Sequence, residues 1–288
     1  MNYGVFCMTQ TKERIGMLSF LKNLDQDLQH ALLVQLRNLW THTSTAIEGN
    51  TLTLGETAFV LEEGLTVAGK PLKDHEEVVG HARAVDLVYE LLKNESPFGE
   101  EELFRLHKAV QTQAVIDVYK PVGAWKKEHN STVGVVDEKQ FVFEYAPPND
   151  VPSLMKIWFE LFHEAVQGVK ESDRTRALEA YVNLHVSFVR IHPFFDGNGR
   201  LARLIANIPV LKSGLPPVII PKEQRKAYIE VLSEYHYSVG QIKKGGELLP
   251  DQNGLKPFIA FCEQAWKTSL SLVDEIHQKQ RARNKKGE

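Results

Sequence analysis

His192-Pro-Phe-Phe-Asp-Gly-Asn-Gly-Arg200-Leu-Ala-Arg203 gathers a base, a carboxylate, two glycines and two arginines into twelve residues. Read physically, it is a loop that opens a helix. Gly197 and Gly199 lack Cβ atoms, so their backbone N–H groups can turn inward and approach an anion closely. The first turn of the helix that follows has unpaired N–H groups and the positive end of the helix dipole. Arg200 and Arg203 are three residues apart, share one helical face, and can both aim at phosphate oxygens. Asp196 can hold Mg²⁺ through one carboxylate while water and phosphate complete the shell. His192 is the only base of the segment that titrates near neutrality, and it can take a proton from an attacking hydroxyl. Asn198 can donate its amide to a phosphoryl oxygen. Taken singly, a His-Pro ends helices and an Asp-Gly-Asn-Gly run is a solvent-exposed turn. Taken together, the residues describe a polyphosphate site.

Outward from this stretch the chain reads as mainly helical. Leu178, Tyr181, Val182, His185, Phe188 and Val189 form the apolar stripe of a helix that Ser172 or Asp173 caps and that ends at the His-Pro. The helix after the glycines is expected from about 199 to 213, another from Pro221, and a last one over about 255–279. Upstream, Leu28, Leu32, Leu33, Leu36, Leu39 and Trp40 predict a helix over about 24–48, stopped by Gly49 and Asn50. Thr53-Leu-Gly-Glu56 is a capping box that starts the next helix. Further helices are predicted over 73–93, over about 100–113, and from Pro152 to about Val169. Residues 127–145 break the pattern. They are rich in Thr, Val and Phe around a polar Asp137-Glu138-Lys139 turn, which predicts a β-hairpin. The fold class is therefore mainly α, one helical domain with a hairpin and an N-terminal helical arm.

Composition narrows the function classes. Hydrophobic residues are 43% and charged residues 25%, the balance of an ordinary soluble globular protein. The net charge of −3 is spread over both halves, with no basic stripe for a nucleic acid. The one basic cluster, Gln280 to Lys286, reads as a solvated, frayed helix end. No apolar run is long enough for a membrane span, and no signal peptide is read. Cys7 and Cys262 stand far apart and read as free thiols. A cytoplasmic location is expected.

The twelve-residue stretch resembles the complete signature of the Fic-domain proteins, HPFx[DE]GNGRxxR. The resemblance covers about residues 40–265. His185 fits the helix before the signature as a structural residue. Gly123-Ala-Trp125 and Tyr145-Ala-Pro-Pro148 bracket the hairpin and resemble the family's target-binding flap. An Arg commonly follows the aromatic residue there; this chain has Lys126, to which no role is carried. The resemblance implies a Fic-type helical bundle divided into an N-terminal arm with an inhibitory helix (1–52), a catalytic core (53–254) and a C-terminal helix with its basic tail (255–288).

It also implies an activity: transfer of AMP from ATP to a hydroxyl of a protein substrate, with release of pyrophosphate and Mg²⁺ as cofactor. His192 would be the general base and Asp196 the Mg²⁺ ligand. Asn198, with the Gly197 and Gly199 backbone, would stabilise charge on the α-phosphoryl. Arg200 would hold the β-phosphate and Arg203 the γ-phosphate. Tyr228 and Leu232 read equally as adenine-site lining or plain core. His236 stands where the family often has Asn, and an apparent insertion over about 238–253 follows. Ser44-Thr-Ala-Ile-Glu48-Gly49-Asn50 resembles the family's inhibitory motif. Glu48 ends a helix, where the dipole disfavours an anion, and so asks for a cation such as Arg203. The implied partners are ATP, an unidentified protein substrate and the chain itself through automodification. Nucleic acid and membrane are not among them, and a homodimer is compatible with this reading. Two alternatives stand beside it. One is a Fic relative that removes AMP or uses another nucleotide; the other is a helical adaptor that binds a phosphorylated partner.

Overall fold

A computed structural model describes residues 18–93, 97–112, 117–136 and 139–287. Cys7 and the hairpin-turn residues Asp137 and Glu138 lie outside the described residues. Helix α1 (Gln26–Ile47) leads into α2 (Leu54–Glu63), α3 (Leu72–Leu91) and α4 (Glu100–Val110). The capping box at Thr53 is present in both directions. Thr53 Oγ1 accepts from Glu56 N at 3.2 Å, and Glu56 Oε2 accepts from Thr53 N at 2.7 Å.

Strands β1 (Ser131–Val136) and β2 (Lys139–Glu144) form the antiparallel hairpin, pairing Ser131 with Glu144 and Val136 with Lys139. Alternation along the strands puts Val133 opposite Val142 on an outer face, where both are exposed. The other face meets α9 (Arg225–Val239), and at Gly134 a Cβ would stand 2.6 Å from Ser233 Oγ. Only glycine lets the strand lie that close.

Helices α5 (Val151–Gly168) and α6 (Arg174–Ile191) form the centre of the bundle. Asp173, the second of the two expected caps, supplies the side-chain cap of α6, accepting from Arg176 N at 3.1 Å. The stripe residues of α6 all face the core. Trp158 of α5 is fully buried among Phe159, Phe162 and Phe188, and its indole N–H donates to Leu184 O at 3.2 Å. One apolar core takes Leu28 and Leu36 from α1, Val151 and Trp158 from α5, and Phe258 and Ile276 from α10 (Lys256–Gly287).

Three expectations are corrected. The helix expected over 199–213 is two helices, α7 (Asn198–Ile205) and α8 (Asn207–Lys212), parted at Ala206. Pro209 has no N–H for the carbonyl of Ile205, and Asn207 diverts the chain by bonding Arg203 O and both polar groups of Val218. Pro221 opens a 3-10 turn over Lys222–Gln224 before α9 begins. The final helix continues to Gly287, so its basic end is helical rather than frayed; residues 281–285 are solvent-exposed as expected, and Arg283 donates to Asp27 at 2.6 and 2.8 Å and to Asp25 at 3.4 Å, beside the start of α1. The buried Cys262 keeps its thiol pushed up by burial. Among the described residues no helix is long and apolar enough to cross a membrane.

Trp158→Ala removes the largest side chain of the α5–α6 contact and one of the donors to Leu184 O. A loss of about 3–5 kcal/mol in urea unfolding is expected. A loss below about 1 kcal/mol would show that the core does not close on this residue.

Candidate active site

The signature segment bridges α6 and α7, and its backbone is bent twice into the left-handed region. His192 ends α6 at φ 51, and Gly197 caps α7 at φ 80. The first is unusual for a side-chain-bearing residue and turns the imidazole off the helix axis. His192 Nδ1 donates to Val189 O at 3.3 Å, which leaves Nε2 as the free acceptor. The ring lies face to face on Tyr145, centroids 3.6 Å apart and planes 8° from parallel. Burial, helped by the Lys126 charge, pushes its pKa down to about 3.

Asn198 holds the loop shut. Its Oδ1 accepts from Phe194 N at 2.9 Å and its Nδ2 donates to Phe194 O at 2.8 Å. The side-chain amide thus commits its oxygen and one of its two N–H donors to the loop, while Asn198 still lines the cleft. Gly199 has a different reason to lack a side chain: a Cβ there would stand 2.6 Å from Glu48 Oε1 and 3.2 Å from an Arg203 nitrogen. Asp196 accepts from Gly197 N at 2.6 Å and faces Arg200 at 3.6 Å. Burial would raise its pKa, but Arg200 and the Gly197 N–H outweigh it and keep the carboxylate ionised.

Both arginines are buried. Arg200 donates to Val110 O at 3.3 Å and to Gln111 Oε1 at 3.2 Å, and approaches Glu77 at 4.0 Å. Arg203, 3% exposed, donates from Nε to Ser44 Oγ at 3.0 Å and from one terminal nitrogen to Ser44 O at 2.9 Å and Glu48 Oε1 at 2.7 Å. Its other terminal nitrogen donates to Tyr228 Oη at 3.3 Å. Burial works against this guanidinium, and Glu48 and Tyr228 overcome it, so the charge is held firmly. The helix end that carries Glu48 also receives Arg225, whose Nε donates to Ile47 O at 2.6 Å.

These groups line one cleft of ≈ 380 Å³, with Glu48, Asp196, the glycines and both arginines on one side. Thr132 and Tyr145 of the hairpin lie on the other, and Tyr228, Leu232 and His236 of α9 complete the wall. Tyr228 and Leu232 are core and cleft lining at once, at 4% and 8% exposure. Tyr228 Oη lies 2.9 Å from Nε2 of His185, which is wholly buried as its stripe position requires. His236 Nε2 is buried with no partner among the described residues, and burial with the nearby Arg190 pushes the ring down to about 3. The segment after α9 is gripped by Arg190, which donates to the carbonyls of Leu248, Glu247 and Gly240.

Three residues of the site were not read from the sequence. His107 Nδ1 accepts from Gly123 N at 2.8 Å, and its Nε2 donates to Asp196 O at 3.1 Å. Its ring stacks on Phe194, and burial holds it down to about 4. Gln111, one turn on, meets Arg200. The available signal was a histidine inside the apolar stripe Leu103, Leu106, Val110 with a glutamine four residues later. The third, Tyr145, was seen only as a bracket of the hairpin.

The bundle, its hairpin and a glycine loop beneath two arginines are the architecture of a Fic-type fold. Residues 97–209 match the Fic/DOC family. It is 29% identical over 229 residues to Protein adenylyltransferase Fic of Drosophila virilis, a match covering 80% of this chain and 41% of that protein. The chain thus spans about two fifths of the length of the curated relatives it matches. A Fic domain containing signaling protein from Bacteroides thetaiotaomicron superposes with a TM-score of 0.79 at 27% identity, covering 93% of this chain and 96% of that one. Fic-1 of C. elegans superposes at 0.68 and 26% identity, covering 90% and 69%.

His107, His192 and His236 are neutral when folded and regain the ordinary value near 6.5 when unfolded. As pH falls the unfolded chain therefore takes up protons first. Their contribution to stability is whole above about pH 6.5 and is lost toward pH 4 for His107 and pH 3 for the others. His42, His81 and His185, also lowered by burial, act with the same sign. The urea midpoint should fall from about pH 7.5 to about pH 5, before carboxylates titrate, and His236→Asn should flatten the fall. A midpoint constant over that range would show these rings to be solvated.

Proposed function

We propose that this chain is a protein adenylyltransferase that moves AMP from ATP to a protein hydroxyl and is held back by Glu48. The observation that carries the reading is the single cleft in which a histidine with a free Nε2 faces a glycine loop and two buried arginines. The acceptor oxygen attacks the α-phosphorus, its proton passes to His192 Nε2, and pyrophosphate leaves. The imidazole is neutral, so it can accept; in the occupied cleft, phosphate charge would raise its basicity. Backbone N–H groups of Asn198 and Gly199 at the start of α7 suit an anion. Arg200 and Arg203 supply the cations for the outer phosphates. Asn198 acts through its grip on Phe194, which fixes the loop against His192.

The residues fit Mg²⁺ in a limited way. Among the described residues no three His, Cys, Asp or Glu side chains converge on a metal position. Asp196 is an ionised carboxylate at the cleft, with its side chain 55% exposed. One protein carboxylate suits an ion that keeps its waters and shares phosphate oxygens. Bound there, Mg²⁺ would neutralise phosphate charge.

Glu48 fits the role of a restraint. While it holds Arg203, that guanidinium is unavailable to the terminal phosphate, and ATP would sit with its α-phosphorus out of line. Its place in the wall of the same cleft also favours a second reading, in which the carboxylate activates water to remove AMP from a modified protein. The acceptor protein, automodification and a homodimer belong to the proposal.

His192→Ala should abolish labelled-AMP transfer while Mg·ATP binding by calorimetry stays within about threefold, because binding rests on the loop and the arginines. Transfer that survives at neutral pH would remove His192 as the base. Glu48→Gly should raise automodification at least about tenfold, and Glu48→Gly with Arg203→Ala should lose that gain. A single variant equal to wild type would end the autoinhibition reading, and an equally active double variant would end the role of the ion pair.

A further inference from the structure

One buried ammonium joins the root of the hairpin to the reactive loop. Lys126 is 3% exposed, and no carboxylate lies within ion-pair distance of it among the described residues. Its backbone N–H donates to Pro193 O at 2.9 Å. Its Nζ donates to Asn130 Oδ1 at 2.6 Å, reaches Ile191 O at 3.5 Å, and stands 5.9 Å over the Tyr145 ring. Asn130 completes the grip, donating from Nδ2 to Phe194 O at 3.0 Å and to Phe195 O at 3.5 Å. Lys126 and Asn130 thus hold the carbonyls of residues 191, 193, 194 and 195, on both sides of His192. One face of the imidazole is covered by Tyr145, at the other root of the same hairpin.

An ammonium desolvated without a counter-ion costs free energy, and burial alone brings its pKa down to about 7. Fold closure by itself does not require a charge there, since an apolar side chain of similar length fills the space without that penalty.

We propose that Lys126 is a positioning residue: its ammonium holds Ile191 O and fixes the Asn130 amide that grips the loop carbonyls, so that His192 stands against Tyr145 with Nε2 turned into the cleft. The clamp acts through His192 and so rests on His192 being the base. The ammonium has a second effect, since a positive charge near the imidazole disfavours a second one. The titratable groups facing that ring are Lys126 from the hairpin root, Tyr145 from the end of β2, Asp196 from the loop and His236 from α9. Of these, Lys126 alone carries positive charge while the histidines are neutral, up to its own titration at about 7.

The test compares wild type with Lys126→Met and Lys126→Arg, Arg being the residue that commonly stands here in the family. In steady-state automodification with Mg·ATP, Lys126→Met should lower kcat at least about tenfold and leave the KM for ATP within about twofold. Lys126→Arg should recover most of the loss. A second readout needs no turnover: ¹⁵N NMR of labelled histidine, with the His192 signal identified by its absence in His192→Ala. Wild-type His192 should remain in the Nδ1–H neutral form from about pH 5 to pH 8, and in Lys126→Met its protonation midpoint should rise by at least about half a pH unit. Should Lys126→Met not fold, Asn130→Leu takes its place, since it removes the nearest acceptor of the ammonium.

Unchanged His192 resonances in the methionine variant overturn the clamp. So does activity lost only in proportion to the folded fraction. If no variant transfers AMP, the transferase reading fails, and the resonances alone decide whether Lys126 holds the ring.

Discussion

A guanidinium taken almost wholly out of water must find acceptors for its N–H groups, and Arg203 finds them on two helices. Ser44 and Glu48 come from α1, and Tyr228 comes from α9. A charge left alone in such a place costs several kcal/mol, so α1 and α9 are bound to α7 by the need to solvate one side chain. The same charge acts on its surroundings. With burial, it keeps His81 and His185 neutral, and both are packed as plain core groups. The cleft is therefore a cavity with a fixed positive wall, and the protein's own carboxylate is the anion that fits it.

The loop opposite is held most densely at one residue, Phe194. Phe194 gives its N–H and its carbonyl to Asn198, and the carbonyl also accepts from Asn130. The Phe194 side chain packs between His107 and Trp125. Backbone and ring are both fixed, so the residues on either side have little freedom. A rigid neighbourhood of this kind makes a left-handed histidine affordable, because the strain of about 1–3 kcal/mol is spread over many contacts.

Much of this was legible in the sequence because it is local. The capping box at Thr53, the stripe of α6, the alternation of the hairpin and the glycine loop depend on residues a few positions apart. The misses depend on distance in the chain. Nothing near Arg283 says that Asp25 and Asp27 will be there to receive it, so a continuous helix end reads as a frayed one. Asn198 reads as a phosphate ligand because its chemistry suits one. Only the closed loop reveals that its amide is already engaged by Phe194. Lys126 reads as a departure from a pattern, and its surroundings come from four segments that meet only in the fold. The break at Ala206 is the exception, because Pro209 announces it and the helical period on either side conceals it.

The helix capped by Asp25 at its start and Glu48 at its end has 22 residues between them, a rod of about 33 Å. One end carries the carboxylate at 2.7 Å from Arg203; the other is tied by Arg283 to the far end of α10. A rod does not absorb a push along its axis. The tether at one surface of the protein thus shares a single rigid element with the carboxylate in the cleft wall, at the opposite end of the rod.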